Sequence, residues 1–177
     1  MELINVEIKA RCADPVGVRK VLRSRDARFA GTDHQVDTYF RVPEGRLKLR
    51  QGNIENALIA YRRPDQAGPK TSEVALAPVA NGDAVRGVLE RSLGVLVTVD
   101  KQREIYYIDN VKFHVDQVAD LGSFVEIEAC GPTDGDRERL LGQCAEYMAL
   151  FGIRDADLVE VSYSDLLLAK AQSATGN

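Results

Sequence analysis

The sequence predicts an α+β protein in which an eight-stranded antiparallel sheet closes into a β-barrel with helices packed on the outside. Two observations predict it. Eight short stretches alternate polar with apolar residues, and they come in groups interrupted by four helical stretches, without the regular βαβ alternation of a parallel sheet. In several of these stretches the polar half is charged. The apolar halves then need the amphipathic helices to cover them, and the charged faces turn towards one another like the interior rows of a barrel.

The first strand, residues 2–11, contains "NVEIKAR", which sets Asn5, Glu7, Lys9 and Arg11 on one face and Val6, Ile8 and Ala10 on the other. "DPVGVRKVLRSRDA" follows as a helix, with Asp14 as N-cap, Pro15 at the first helical position and Val18, Val21 and Leu22 at helical spacing. Strands are expected at 34–41, 45–51, 56–63 and 71–77. Of these, "GRLKLRQ" places Arg46, Lys48 and Arg50 opposite Leu47 and Leu49, and "LIAYRRP" ends on Arg62 and Arg63. Asp37 in "QVDTYF" reads either as a group that orients an interior base or as the start of a paired strand.

"NGDAVRGVLERSLG" makes a second helix with Val85, Val88, Leu89 and Leu93 on one stripe and Gly94 at its end. Strands 95–107, 110–118 and 123–130 come next. They carry Lys101 and Arg103, then His114 and Asp116, then Glu126 and Glu128 between Val125, Ile127 and Ala129. Two helices close the chain: one from a Thr133 or Asp134 cap to Gly152, and one in "SYSDLLLAKAQSA" capped by Ser162 or Ser164. Residues 1–177 thus read as one domain, with barrel strands over about 2–130 and C-terminal helices over about 133–174. An apolar stripe on the last helix would serve a homodimer.

A composition of 45% hydrophobic and 28% charged residues is that of a soluble globular protein, and a net charge of −4 excludes a general nucleic-acid or membrane-surface binder. Any basic site is therefore local. Cys12, Cys130 and Cys144 are odd in number and lack C-x-x-C spacing, so neither a disulfide framework nor a zinc site is expected. "MELINVEIKA" lacks the features of a signal peptide, and "LGVLVTV" is too short to span a bilayer. The expected location is the cytoplasm.

A charged interior has to be paired, wet or built to bind ions, because burying lone charges is costly. Glu7, Asp116, Glu126 and Glu128 form a carboxylate group suited to hard divalent cations such as Mg2+ or Mn2+. Lys9, Lys48, Arg50, Arg62, Lys101 and Arg103 form a basic group suited to several phosphates. Metal with polyphosphate satisfies both. No G-x-x-x-x-G-K-[ST] loop, G-x-G-x-x-G turn or G-x-S-x-G elbow offers another chemistry. His34 and His114 are too few for a histidine-rich centre and read as structural, although His114 shares a face with Asp116; the tyrosines read as wall residues.

The segments "NVEIK", "HQVDTYF", "GRLKLRQ", "YRRPDQAGPKTSE", "KQR" and "HVDQVADLGSFVEIE", in this order over residues 2 to about 130, resemble the CYTH family. That family is named for class IV adenylate cyclases and thiamine triphosphatases, and the chain looks most like its bacterial cyclase-labelled members. The resemblance implies the eight-stranded triphosphate tunnel and catalysis with Mg2+ or Mn2+. It makes Glu7, Asp116, Glu126 and Glu128 metal ligands, with Lys9, Lys48, Arg50, Arg62, Lys101 and Arg103 on the phosphates. Lys70 joins that basic set, and Lys9, Lys101 and Arg103 are its catalytic members.

Asn5 departs from the family pattern, since it stands where the E-x-E-x-K signature has its first glutamate. An amide oxygen ligates a hard cation without bringing charge. The expected function is conversion of ATP to cyclic AMP and pyrophosphate. The alternatives are hydrolysis of inorganic or thiamine triphosphate, and non-catalytic binding of a nucleotide or polyphosphate.

Overall fold

Alternation of period two becomes a single sheet in the computed structural model, which describes residues 4–62, 73–132 and 137–175. Its strands are β1 (Ile4–Arg11), β2 (Arg28–Phe40), β3 (Arg46–Gln51), β4 (Ala57–Arg62), β5 (Glu73–Pro78), β6 (Val95–Ile108), β7 (Val111–Val118) and β8 (Gly122–Gly131). They pair antiparallel in the order β1-β8-β7-β6-β2-β3-β4-β5. The sheet curls so far that side chains from all eight strands line one cavity.

Among the described residues no ladder joins the end strands β1 and β5, so the sheet is a half-barrel, where the sequence led us to expect full closure. The physical reason lies at the edge of β1. The Val159 amide donates to the Lys9 carbonyl at 2.8 Å and Leu158 bridges to Ala10, so a C-terminal segment occupies the edge that a closing strand would use. Strand β2 also begins six residues before the expected 34. A bulge at Gly31, whose φ of 137° suits glycine, lets "RFAGTD" pair with β6 although the stretch does not alternate.

The helices are α1 (Pro15–Ser24), α2 (Gly82–Leu93), α3 (Arg137–Leu150) and α4 (Tyr163–Thr175). Two of the expected caps form: Asp14 Oδ1 accepts from the Gly17 amide at 2.9 Å, and Ser162 and Asp165 exchange side-chain to backbone bonds as a capping box, while the Thr133 or Asp134 cap lies outside the described residues. Val18 and Leu22 of α1 and Leu140, Cys144 and Tyr147 of α3 cover Val6, Ala10, Phe113, Val125, Ile127 and Ala129. These sheet residues are the apolar halves of β1, β7 and β8, and each large side chain buried here contributes about 1.5–3 kcal/mol. Phe113 is fully buried with Tyr147 edge-on at 4.6 Å. Helix α2, by contrast, buries none of its stripe and leaves Val88 exposed.

Helix α4 departs from the expected outside packing. Tyr163, Leu166 and Leu167 cover Tyr39, Val99, Val118 and Phe124, which lie on the cavity face of the sheet. Towards this end the inward rows turn from charged to apolar, as in Val97, Val99, Lys101, Arg103 along β6, and apolar positions need a cover. The stripe that the sequence offered to a second copy is used within the chain. Among the described residues no helix is long and apolar enough to cross a membrane.

Candidate active site

Strand register assembles the cavity. Glu7 and Lys9 of β1 face Glu128 and Glu126 of β8, which face Lys112 and His114 of β7. Arg103 of β6 faces Asp116 of β7, and Asp37 of β2 faces Arg50 of β3. Acids therefore gather on the β1–β8–β7 wall and bases on the β6–β2–β3 wall, as their segregation by strand led us to expect.

The basic wall is organised by one carboxylate. Asp37 Oδ2 accepts from Lys48 Nζ and Lys101 Nζ, both at 2.9 Å, while Arg50 grips the same group with Nε at 2.8 Å and Nη2 at 2.9 Å. Three cations thus share a single anion. Burial alone would raise the carboxyl of Asp37, but the charges of Lys48, Lys101 and Arg50 hold it well below the usual range. One anion cannot compensate three neighbours equally. Burial lowers the Lys101 ammonium most, Asp37 opposes it, and Arg103, Arg50 and Lys48 add to the lowering, so the group sits at about 7.

The acidic wall is also paired internally. Arg103 donates to Asp116 at 2.8 and 2.6 Å and to Glu126 at 2.8 Å, and the Tyr163 hydroxyl donates to Asp116 at 2.8 Å. Lys9 Nζ lies 3.4 Å from Glu126 and 4.5 Å from the centre of the Tyr163 ring. Burial would raise Glu126, yet Arg103, Lys9 and the hydrogen bond from His114 keep it well below its ordinary value. Burial and the charges of Glu126 and Asp116 push the Tyr163 phenol up.

His114 Nδ1 is 3.0 Å from Glu126 and 3.7 Å from Glu128, and one donor atom from each of these three residues falls within 4.8 Å of the others. Its Nε2 is buried with no partner. A nitrogen and two carboxylates at this spacing fit a divalent cation. The two carboxylates were expected from the alternation, but His114 read as structural; its shared face with Asp116 was the available signal.

Of the residues singled out in the sequence, Glu7, Lys9, Lys48, Arg50, Lys101, Arg103, Glu126 and Glu128 line the cavity. Asp116 stands behind Arg103. Arg62 is placed elsewhere, exposed and paired with Glu44 at 2.8 Å, and Lys70 and Arg63 lie outside the described residues. Asn5 is exposed, with its oxygen 3.9 Å from Cys130 Sγ. The sequence also missed Lys112, Ser162 and Tyr163 as lining residues.

The position of Lys101 carries a pH dependence. Its folded value of about 7 lies below the ordinary 10.5, so between these values the unfolded chain binds more protons and this group's penalty on stability fades as pH rises. Anion binding runs the other way. Tripolyphosphate affinity measured by calorimetry is expected to fall as pH rises above about 7, and Lys101→Arg should remove that fall because arginine stays charged.

The CYTH domain model matches residues 3–163. A Methanocaldococcus jannaschii protein, named as an unproven adenylate cyclase, is 25% identical over 175 residues, covering 93% of this chain and 98% of its own. The fold is that of the PH1012 protein of Pyrococcus horikoshii, with a TM-score of 0.76, 21% identity, and 92% and 99% of the two chains covered. It is also that of a Hippeastrum protein named for adenylyl cyclase and described as having a dominant triphosphatase activity. That comparison has a TM-score of 0.66, 15% identity and 96% of each chain covered.

Proposed function

Because the chain belongs to the CYTH family, we propose that it is a divalent-metal-dependent enzyme acting on a triphosphate, most simply converting ATP to cyclic AMP and pyrophosphate. The observation that carries this is the triple hold of Lys48, Arg50 and Lys101 on Asp37 beside the His114, Glu126 and Glu128 donor set. Lys48, Arg50 and Lys101 share Asp37, and Arg50 also meets Glu55, so the cations still outnumber the carboxylates and leave positive charge for a guest. The cavity holds about 220 Å³, below the ~300–1,000 Å³ of pockets that engulf a drug-sized ligand. It suits a compact polyanion with the remainder of the molecule at the mouth.

A divalent ion held by His114, Glu126 and Glu128 would neutralise phosphate oxygens as charge builds on them. Lys48 and Arg50 would take the β and γ phosphates, since phosphoryl chemistry depends on positioning and electrostatics. The ribose 3′-oxygen attacks the α-phosphorus, the bond to the bridging oxygen breaks and pyrophosphate leaves. Lys101, held near neutrality, is suited to receive the hydroxyl proton. Arg103 fixes Asp116 and Glu126 and so keeps the acidic wall in place.

A second reading, hydrolysis of the terminal phosphate of tripolyphosphate or thiamine triphosphate, is favoured by the activity described for the Hippeastrum protein. Asn5 favours a third, binding without turnover, because it removes one signature charge. Incubation with ATP, tripolyphosphate or thiamine triphosphate and Mg2+ or Mn2+, with products separated by chromatography, distinguishes them. Cyclic AMP with pyrophosphate is the expected result. Orthophosphate would replace the cyclase with a triphosphatase, and no product would leave a receptor.

A further inference from the structure

The end of the cavity away from α4 carries a carboxylate, Glu55, and a base, Lys112, to which the proposed chemistry gives no role. Glu55, in the turn between β3 and β4, accepts from Arg50 Nη1 at 2.8 Å through one oxygen and from Lys112 Nζ at 3.3 Å through the other. Arg50 stands on β3 and Lys112 on β7, with β2 and β6 between them in the sheet. Three strand steps of about 4.8 Å make a path of about 14 Å along the sheet. A carboxylate that touches both is therefore a chord across the curl. Lys112 lines the cavity, and its register partner on β8 is Glu128, one of the three candidate metal donors.

The turn is held without help from the Glu55 side chain. Buried Asp33 accepts from the Ile54 amide at 2.9 Å and from the Glu55 amide at 3.1 Å, and Asn56 exchanges bonds with Gly52. The turn is thus fixed and its carboxylate is aimed at the two bases, with a side chain about one-third exposed. Gln35 Nε2 also donates to this carboxylate, at 3.2 Å, so exchange with a second anion takes a rotamer change that gives up that bond as well.

We propose that Arg50 and Lys112 form an outer phosphate subsite, occupied in the free protein by the carboxylate of Glu55 and opened when a phosphate group of an entering polyphosphate displaces it. This rests on the triphosphate reading above. Its consequence is specificity. A guest must carry enough charge to outcompete a built-in carboxylate, so a polyphosphate displaces Glu55 where a carboxylate or singly charged anion does not. Arginine and lysine both bind phosphate more strongly than carboxylate when the anion carries the higher charge.

The test is calorimetric titration of tripolyphosphate into the wild-type protein, Glu55→Gln, Lys112→Gln and the double variant, with Glu90→Gln on α2 as a control for net charge. Glu55→Gln should bind about tenfold more tightly and Lys112→Gln about tenfold more weakly, the scale of one charged hydrogen bond. In the double variant the gain from Glu55→Gln should shrink, because Glu55 then competes for Arg50 alone, and Glu90→Gln should match the wild type. Binding by the wild type with no gain in Glu55→Gln, or a gain as large in the double variant as in Glu55→Gln alone, overturns the subsite and leaves the triphosphate reading standing. Absence of binding in every variant overturns both. If Glu55→Gln fails to fold, Glu55→Ala carries the same expectation, because Asp33 holds the backbone of the turn in either case.

Discussion

Replacing Asp37 by alanine is expected to cost about 3–5 kcal/mol of folding free energy, the usual effect of removing one partner from a buried ion pair. Asp37 is 2% exposed and is the shared acceptor of Lys48, Lys101 and Arg50, so its loss leaves three neighbouring cations facing one another. Asparagine keeps the shape without the charge and should lose nearly as much. Because the defect is excess positive charge, tripolyphosphate should restore stability in proportion to its occupancy. Urea denaturation with and without the anion measures both parts. A loss under about 1 kcal/mol would mean that the cations are solvated and that Asp37 organises nothing.

Turnover should fall about a hundredfold or more in Glu128→Ala, the scale of losing a group that stabilises transition-state charge. The fold should stay intact, because Glu128 is 21% exposed and meets His114 only at 3.7 Å. Glu126→Ala should lose turnover too, but with a large loss of stability, since Lys9, Arg103 and His114 all rest on that carboxylate. Product formation and thermal melting of the two variants separate the roles. Equal melting curves would show that Glu126 is no keystone of the acidic wall, and undiminished turnover in Glu128→Ala would remove it from the chemistry.

The sheet was legible because alternation is local: "NVEIKAR" and "VEIEA" state both of their faces without reference to the rest of the chain. Helix ends were legible for the same reason, since Asp14 and Ser162 bond within a turn of themselves. What the sequence hid is non-local. Asp37 becomes the hub of the basic wall only through the pairing of β2 with β3 and β6, and Glu55 meets Lys112 fifty-seven positions away across the curl. Helix α4 faces the cavity because apolar residues of β2, β6, β7 and β8 converge at one end, and no single stretch announces that convergence. Arg62 shows the converse: it ends a strand that supplies Tyr61 and Ile59 to the cavity, and alternation turns Arg62 to the other face.

If this curled sheet is built to hold a polyphosphate beside a divalent cation, the two should bind together. Calorimetric titration of tripolyphosphate into the protein, once with Mn2+ and once with a chelator, tests this most directly. The expected result is one site per chain, tightened by Mn2+ and lost in Lys48→Gln combined with Arg50→Gln. No measurable binding in either condition, with the protein folded, would mean that its internal ion pairs complete the charged cavity and that no anion is its guest.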